Sequence, residues 1–378
     1  MKVLGNTFGR MFRVTTCGES YGGGLAAICD GVPPGIELCD ADIQDELDKR
    51  RPGQSDIDSP RQETDQVQIF SGLRDGYTTG APVGMIVRNV DTLPQHVKEY
   101  EEARHLIRPG HAEYTYRYKY GDYVDWCGAG RASGRETVGR VAAGAVAKKI
   151  LAREGIRIAA YVSELSDIRA EISELSFDER EQNALKNEIF CPDLATAEKM
   201  IQLTRKVKED GDTLGGVVEI LAVGVPPGLG EPVFDKLSAS LAHGLMSIPA
   251  VKGCEIGAGF HSTRMLGSDC NDIPYLKDGR VRFHTNNSGG IDGGISNGED
   301  ILVRIAVKPT STISIAQRTV NMETMEEQEL AAITRRDATI CGRICAVAAA
   351  MSRLVILDHL MMWRGYDAVS GIEHKFGW

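Results

Sequence analysis

Two residues of the segment 107–116, Arg108 and His111, have side chains that can bind an anion and move a proton. The planar guanidinium of an arginine binds a carboxylate or phosphate through two parallel hydrogen bonds, and an imidazole exchanges protons near neutral pH. A histidine on a turn is more often a solvated bystander. Beside an arginine and a run of tyrosines, however, His111 becomes a candidate catalytic group.

A second cluster lies in the glycine-rich run 128–137, which leads into a predicted helix and contains Arg131 and Arg135. The spacing of Ser133 and Glu136 predicts a capping box at the start of that helix. Free N–H groups, the helix dipole and two arginines together favour the binding of a phosphate or carboxylate. A well-capped helix with solvent-exposed arginines is the alternative interpretation.

Two further segments carry glycines, amides and hydroxyls. Glycine pairs alternate with polar residues over 285–298, and a Lys-Pro-Thr-Ser-Thr loop occupies 308–312. Such segments suit a ligand with several polar edges and a phosphate tail. Neither the phosphate-binding loop of NTPases nor a GxGxxG motif that opens a helix is present in the sequence. Arg335, Arg336 and Asp337 form another charged group before the last long helix.

The scaffold that must position these groups contains a repeated turn, because the sequence Gly-Val-Pro-Pro-Gly occurs twice. The two copies occupy 31–35 and 224–228, the predicted strands before them 25–29 and 217–223, and the predicted helices after them 40–51 and 235–246. This pattern predicts two structurally related halves, about 1–160 and 211–363. Chance recurrence of a Pro-Gly turn is the alternative.

Three other segments have a helical pattern. The segment 137–154 is rich in small residues and predicts a helix against which another element packs closely, and 341–363 predicts a long apolar helix. The acidic segment 168–210 predicts a peripheral helical insertion. Strands and helices are mixed and no linker is evident, so the chain is predicted to form a single α+β domain over 1–378.

Composition restricts the class of protein further. Hydrophobic residues make up 42% and charged residues 25% of the 378 residues, which excludes a disordered chain. No apolar run reaches the ~20 residues of a membrane span. The formal net charge of −10 argues against a general nucleic-acid or anionic-membrane surface. Nine cysteines without a CxxC pair, after an N-terminus without an apolar signal, predict reduced thiols in a cytoplasm and no metal site.

Taken together, several motifs resemble one known family, chorismate synthase. These motifs are Gly5–Gly9, Thr15–Ser20, the turn at Gly31, Arg50–Gly53, the run at Arg108, the glycine-rich helix start and the Lys308 loop. They follow one another in order from about residue 5 to 363. The resemblance implies a β-α-β sandwich core, a homotetramer and a cytoplasmic lyase of the shikimate pathway. Family members convert 5-enolpyruvylshikimate 3-phosphate to chorismate and phosphate by a 1,4-anti elimination that uses reduced FMN without net redox change.

The resemblance also implies roles for individual residues. The implied catalytic positions are His111, Asp337, Ser20 and Tyr21, where Tyr21 stands at the position of a family histidine. The implied substrate-binding positions are Arg50, Arg108, Arg135 and Arg335. The implied flavin-binding positions are Arg131, Ser133, Ala250, Gly293, Lys308, Pro309, Thr310, Ser311, Thr312 and Arg335.

Four positions depart from the family pattern: Tyr21, Asp56, Ala132 and Arg336. A phenol, with an ordinary pKa of about 10, is a poorer acid at neutral pH than an imidazole at about 6.5. A negative charge at Asp56 about 4 Å from an anionic substrate would repel it by a few kcal/mol. We therefore expect slow turnover, which Tyr21→His and Asp56→Arg together would raise more than either change alone.

Two alternatives to the main interpretation follow from these departures. One is a divergent family member that performs a reduced-FMN-dependent elimination on a related cyclic acid. The other is a flavin-binding homologue without lyase activity. The sequence leaves open whether the protein reduces its own flavin with NAD(P)H or depends on an external flavin reductase.

Overall fold

Two five-stranded antiparallel sheets form the outer layers of the molecule. The computed structural model describes residues 5–53, 55–58, 61, 63–330 and 336–370. The first sheet has the order β1-β2-β3-β7-β4 and consists of β1 (Thr7–Phe8), β2 (Arg13–Gly18), β3 (Gly24–Asp30), β4 (Val67–Ser71) and β7 (Val83–Arg88). In β3 the side chains of Leu25, Ala27 and Cys29 are buried and their neighbours are more exposed, as expected of a sheet with one covered face.

The second sheet has the order β11-β16-β10-β8-β9. Its strands are β8 (Arg157–Leu165), β9 (Ile168–Arg169), β10 (Gly216–Val223), β11 (Val251–Ile256) and β16 (Ile301–Val307). Four short two-stranded ladders lie outside the two sheets: β5 (Leu73–Arg74) with β6 (Tyr77–Thr78), β12 (Pro274–Lys277) with β13 (Arg280–Phe283), β14 (Ile291–Asp292) with β15 (Ile295–Ser296), and β17 (Gln317–Asn321) with β18 (Glu326–Leu330).

The middle layer is built from four helices that contact one or both sheets. They are α1 (Asp40–Arg50), α4 (Thr137–Arg153), α7 (Leu237–Met246) and α9 (Cys341–Ser370). The backbones of α4 and α9 come unusually close, because a Cβ added at Gly144 would lie 2.4 Å from the Cβ of Ala350. Helix α9 is long and apolar enough to cross a membrane. However, 94% of its most apolar 18 residues are buried inside the protein, so it is the core helix of this layer.

Five helices lie outside the middle layer: α2 (Pro94–Glu102), α3 (Glu113–Tyr120), α5 (Phe177–Ala184), α6 (Leu194–Glu209) and α8 (Gly267–Cys270). Of these, α5 and α6 together with β9 occupy the segment 168–210 that was predicted as a helical insertion. Each begins with a side-chain cap, Ser176 for α5 and Asp193 for α6.

The structure confirms the predicted α+β class and the sandwich of two sheets around helices. Each copy of the Gly-Val-Pro-Pro-Gly turn follows a strand, β3 or β10, and precedes a segment that leads into a helix of the middle layer. That the two halves of the chain are structurally related stays a prediction. Helix α7 begins at Leu237 rather than at 235, because Glu231 N–H donates to Asp235 O at 2.9 Å in a closed turn. Helix α9 extends seven residues beyond the predicted end at 363.

We expect Gly144→Ala to lower the melting temperature, because the added methyl group overpacks the contact between α4 and α9 at a cost of about 1–3 kcal/mol. Gly365→Ala is the matched control: it also lies in a helix, but nothing lies within 4 Å of the added Cβ. This control should be neutral or stabilising by up to about 1 kcal/mol, since alanine is the better helix former. Equal melting temperatures for the two variants would contradict the close helix contact.

Candidate active site

One large cavity, of about 1020 Å³, lies where the ends of several elements meet. The C-terminal end of α1, the first turn of α4 and one face of α9 contribute to its wall. Loops complete it: the segment 108–116, the glycine-rich run 128–136, the segment 247–252 that enters β11, and 308–312 after β16. Because these pieces are far apart in the chain, the wall exists only in the folded state.

Most of the sequence-predicted site residues line this cavity. They are Ser20, Tyr21, Arg50, Arg108, His111, Arg131, Ser133, Arg135, Ala250, Lys308, Thr310, Ser311, Thr312 and Asp337. The structure therefore brings together Ala250 and residues that the sequence places in six separate motifs.

Two predicted positions do not line the cavity in the part of the chain that the structure describes. Gly293 is exposed in the turn between β14 and β15, where its φ of +60° explains the need for glycine. The ring of Pro309 packs against Gly215 rather than lining the cavity. Gly293 and Pro309 therefore lie outside the cavity wall, and their contacts with a flavin stay predictions. Arg335 lies outside the described residues.

A buried carboxylate, Asp65, joins two of the predicted anion-binding arginines. Arg50 Nη2 donates to Asp65 Oδ2 at 2.9 Å, and Arg135 Nη1 donates to Asp65 Oδ1. Arg135 also donates from Nε to Asn89 Oδ1 at 2.9 Å, and its Nη2 lies 3.4 Å from Glu63 Oε2. Asp65 is fully buried, and both arginines are at most 5% exposed. Sequence reasoning missed Asp65 and Glu63, because no motif marks them.

Burial and pairing change the pKa values of this cluster. Burial alone would raise the pKa of Asp65, but the charges and hydrogen bonds of Arg50 and Arg135 outweigh it and hold that pKa below its ordinary value. Burial lowers the pKa of Arg50 to about 10, so its guanidinium stays charged at neutral pH. Arg50 Nε is buried and has no hydrogen-bond partner in the described part of the chain, and Arg135 Nη2 is buried beside Glu63. Neither nitrogen is open to the cavity.

The glycine-rich run holds a left-handed backbone over three residues, with φ of 56° at Gly128, 64° at Ala129 and 49° at Gly130. A Cβ at Gly128 would lie 2.5 Å from the ring of Tyr21, so glycine lets the backbone pass directly beside that ring. Arg131 donates to Thr16 Oγ1 and Asn6 Oδ1, both at 2.9 Å, which fixes its guanidinium in the wall.

The predicted capping box at the start of α4 is absent. Ser133 Oγ accepts the N–H of Arg135 at 3.2 Å and so caps a short 3₁₀ turn, Gly134–Glu136, that precedes the helix. The carboxylate of Glu136 pairs instead with Arg140, at 2.9 Å, because residue 136 already lies in helical conformation.

The segment that carries Arg108 and His111 packs against the Lys308 loop. Lys308 Nζ donates to Gly110 O at 2.7 Å, and a Cβ at Gly110 would lie 3.2 Å from Ser311 Cβ. Burial and the nearby charge of Lys252 lower the pKa of Lys308. The two motifs therefore form one continuous part of the wall.

Two of the four family departures lie at the cavity in defined contacts. The ring of Tyr21 meets that of Tyr100 edge-on at 5.3 Å, and the guanidinium of Arg61 lies 5.6 Å from the Tyr21 centroid. Arg336 is buried and donates to the carbonyls of Lys208 and Asp212 at 2.6 and 2.9 Å, which ties the site to the end of α6. Ala132 also lines the cavity.

The expectation about Asp56 is wrong. Its side chain is 64% exposed, does not line the cavity, and pairs with Arg205 of α6 at 3.1 Å. The Arg205 hydrogen bond lowers its pKa, so the charge is present but is neutralised at the surface. Asp56 therefore places no uncompensated negative charge beside a ligand in the cavity.

The fold and the cavity define an α+β protein with a large cavity whose charged lining residues are mostly basic. The family model described as chorismate synthase matches residues 12–361. A chorismate synthase from Acetivibrio thermocellus is 54% identical over 97% of this chain and 98% of its own, and one from Methanosarcina barkeri is 50% identical over 95% and 97%. A solved structure described as a crystal structure of chorismate synthase has a TM-score of 0.74 and 31% identity, and covers 94% of this chain and 93% of its own.

These matches extend over nearly the whole chain. The chain belongs to the chorismate synthase family, and like the members of that family it is a lyase.

We expect Asp65→Asn to destabilise the protein by about 3–5 kcal/mol at pH 7, because it removes the counter-charge of buried Arg50 and one of the two carboxylates that pair with buried Arg135. Asparagine tolerates the positive φ of 47° at this position, so the change removes charge rather than backbone fit. Asp75→Asn is the matched control, with φ of 53° and a side chain that is 92% exposed.

The pH dependence of this effect has a defined sign. The folded-state pKa of Asp65 is depressed, so its contribution is present above the unfolded pKa of about 3.9 and is lost as the pH falls through the folded value. The difference in free energy of unfolding between parent and Asp65→Asn should narrow toward pH 3. A constant difference from pH 7 to pH 3, measured by denaturant unfolding, would contradict the assignment.

Proposed function

We propose that the protein converts 5-enolpyruvylshikimate 3-phosphate to chorismate and phosphate, with reduced FMN bound in the same cavity. The observation that carries the proposal is the charge of the cavity wall. Among the described residues that line it, ten are basic and two, Glu136 and Asp337, are acidic. The basic ones are Arg50, Arg61, Arg108, Arg131, Arg135, Arg140, Lys252, Lys308, Arg336 and Arg343. In a chain of net charge −10, such a cluster favours a ligand with several negative charges.

The remaining wall fits a flat aromatic cofactor with a phosphate tail. Ile344, Val347, Met351 and Leu354 of α9 line the cavity at spacings of three and four residues, so they form one apolar helix face. The hydroxyl-bearing loop with Lys308, Thr310 and Ser311 supplies hydrogen bonds and charge for a phosphate. The apolar face of α9 and the loop residues Lys308, Thr310 and Ser311 form the proposed flavin site together with Arg131, Ser133, Ala250 and Thr312.

The proposed chemistry divides between the cofactor and the chain. Reduced FMN supplies electron density that protein side chains lack. Arg50, Arg108 and Arg135 bind the phosphate and carboxylates of the substrate, which orients the bond to be broken. Their positive charges stabilise the negative charge that develops on the leaving phosphate.

Proton transfer is assigned to two other groups. His111 holds or releases a proton at a ring nitrogen in the cavity. Asp337 is the proposed group for proton transfer on the flavin side, and it is held by an ion pair with Arg343. Ser20, which accepts a hydrogen bond from Arg61 at 3.2 Å and is 1% exposed, is proposed to keep its hydroxyl fixed beside Tyr21.

A related elimination on a different cyclic acid is the second candidate function, and the tyrosine at position 21 is the observation that favours it. A homologue that binds flavin without lyase activity is the third. We also propose a cytoplasmic homotetramer, as the family resemblance implies. We further propose that NAD(P)H reduces the flavin, either on this protein or through a separate reductase.

The test of the function is product analysis with 5-enolpyruvylshikimate 3-phosphate and dithionite-reduced FMN under anaerobic conditions. We expect chorismate and phosphate in equal amounts, saturable FMN binding at micromolar protein, and a loss of roughly 10²-fold or more in turnover for His111→Ala. FMN binding without chorismate supports the second or third candidate, and a screen of related cyclic acids separates those two. Absence of saturable binding of either flavin form would remove the proposal.

The contacts of Tyr21 and Asp56 lead to a second kinetic prediction. Tyr21→His should change kcat/KM, because residue 21 lies in the cavity beside Gly128 and Arg61. Asp56→Arg should leave kcat/KM unchanged and lower stability slightly, by about 1 kcal/mol or less, through the lost surface pair with Arg205. A double-mutant cycle on reduced enzyme should therefore give a coupling energy near zero. Strong coupling would contradict the position of Asp56 outside the cavity.

A further inference from the structure

A single carboxylate, that of Glu113, contacts both of the candidate residues of the segment 107–116. Glu113 is the first residue of α3, and its side chain is 15% exposed. Oε1 accepts two hydrogen bonds from Arg108, one from Nε at 2.6 Å and one from Nη2. Oε2 lies 3.1 Å from His111 Nδ1. The carboxylate itself does not line the cavity, whereas Arg108 and His111 do.

The two oxygens differ in how well they are satisfied. Oε2 is buried and makes no hydrogen bond of good geometry among the residues that the structure describes, and His111 Nδ1 lies 3.1 Å from it. A buried carboxylate oxygen without a donor is costly, so we expect His111 Nδ1 to carry the hydrogen that satisfies it. The opposite tautomer would let Nδ1 accept from Arg108 Nη2, 3.5 Å away, but it would leave Oε2 unsatisfied. The neutral ring is therefore expected as the Nδ1–H tautomer, with Nε2 as the nitrogen left for substrate.

We propose that Glu113 is a positioning residue of the active site, which fixes the tautomer and orientation of His111 and at the same time holds Arg108 for the substrate. The proposal rests on the proposed role of His111 in proton transfer. It assigns the carboxylate no contact with substrate or cofactor.

The charge state of Glu113 supports this role. Burial alone would raise its pKa, but the hydrogen bond with His111 and the charge of Arg108 outweigh burial and lower that pKa below its ordinary value. The group is therefore a carboxylate throughout the neutral range, with two acceptor oxygens and no proton to donate.

Glu113→Gln is the informative substitution, because the amide has nearly the same shape. Its oxygen can still accept from Arg108, but its NH₂ group would then face His111 Nδ1 and require that nitrogen to accept. The substitution should therefore convert the neutral imidazole to the Nε2–H tautomer. Glu113→Asp keeps two acceptor oxygens and the charge, and should restore part of the lost function. Glu101→Gln, at an exposed position of α2, is the control for removal of one negative charge nearby.

The experiment measures the tautomer directly in resting protein. In ¹⁵N-histidine-labelled enzyme, with the signals of residue 111 assigned by their loss in His111→Asn, the parent and Glu101→Gln should show a protonated Nδ1 when the ring is neutral. Glu113→Gln should show a protonated Nε2. In turnover with reduced flavin, Glu113→Gln should lower kcat by about 10- to 100-fold, which does not exceed the contribution of a full acid–base group. KM should change less than kcat. Glu113→Asp should recover part of the lost kcat.

The two readouts separate this proposal from the proposed function. A parent protein with the Nε2–H tautomer, or a tautomer that does not change in Glu113→Gln, would overturn the positioning role even if the enzyme makes chorismate. A tautomer that changes as expected supports the positioning of His111 even if product analysis removes the proposed reaction. A kcat for Glu113→Gln equal to that of Glu101→Gln would overturn the catalytic importance of the contact.

Discussion

The carboxylate of Asp65 holds together the two helix ends on which the cavity depends. Arg50 is the last residue of α1, and Arg135 lies in the turn that leads into α4. The charge of Arg135 disfavours the charged form of Arg50, and both side chains are buried. Two buried guanidinium groups can lie side by side only when a negative charge lies between them. Without it, the free energy needed to bury each unpaired charge would destabilise the folded state. The position of Asp65 therefore determines how closely α1 and α4 converge.

The same constraint explains how a protein with net charge −10 maintains a strongly basic cavity. Contacts within the chain hold the cations of the wall in place. Arg131 donates to a threonine, an asparagine and a carbonyl, and Arg336 to backbone carbonyls and Ser314. Arg50 and Arg135 are held by Asp65. These contacts fix the positions of the guanidinium groups that face the cavity.

The sequence predicted the class of fold and most of the cavity wall, because glycines, arginines and hydroxyls in short motifs mark places where a backbone approaches a ligand. It could not show which of these side chains are already occupied. Asp65 and Glu113 carry no motif, and their importance comes from tertiary contacts with Arg50, Arg135, Arg108 and His111. Asp56 was misjudged for the same reason, since its partner Arg205 lies in the helical insertion, 149 residues away in sequence. Gly293 was assigned by resemblance, whereas in this chain its local hairpin accounts for the residue type.

The tyrosine at position 21 places a particular demand on His111. Its ring fits beside Gly128 and against Tyr100, so the phenol is accommodated by packing rather than by displacement of the wall. Among the described residues that line the cavity, the histidines are then His111 and His243, and the ring of His243 packs against Phe8 at 5.5 Å. A phenol is a much weaker acid than an imidazolium. Under the proposed function, His111 is then the histidine of the described wall that remains for proton transfer, and the carboxylate of Glu113 beside it gains importance for the same reason.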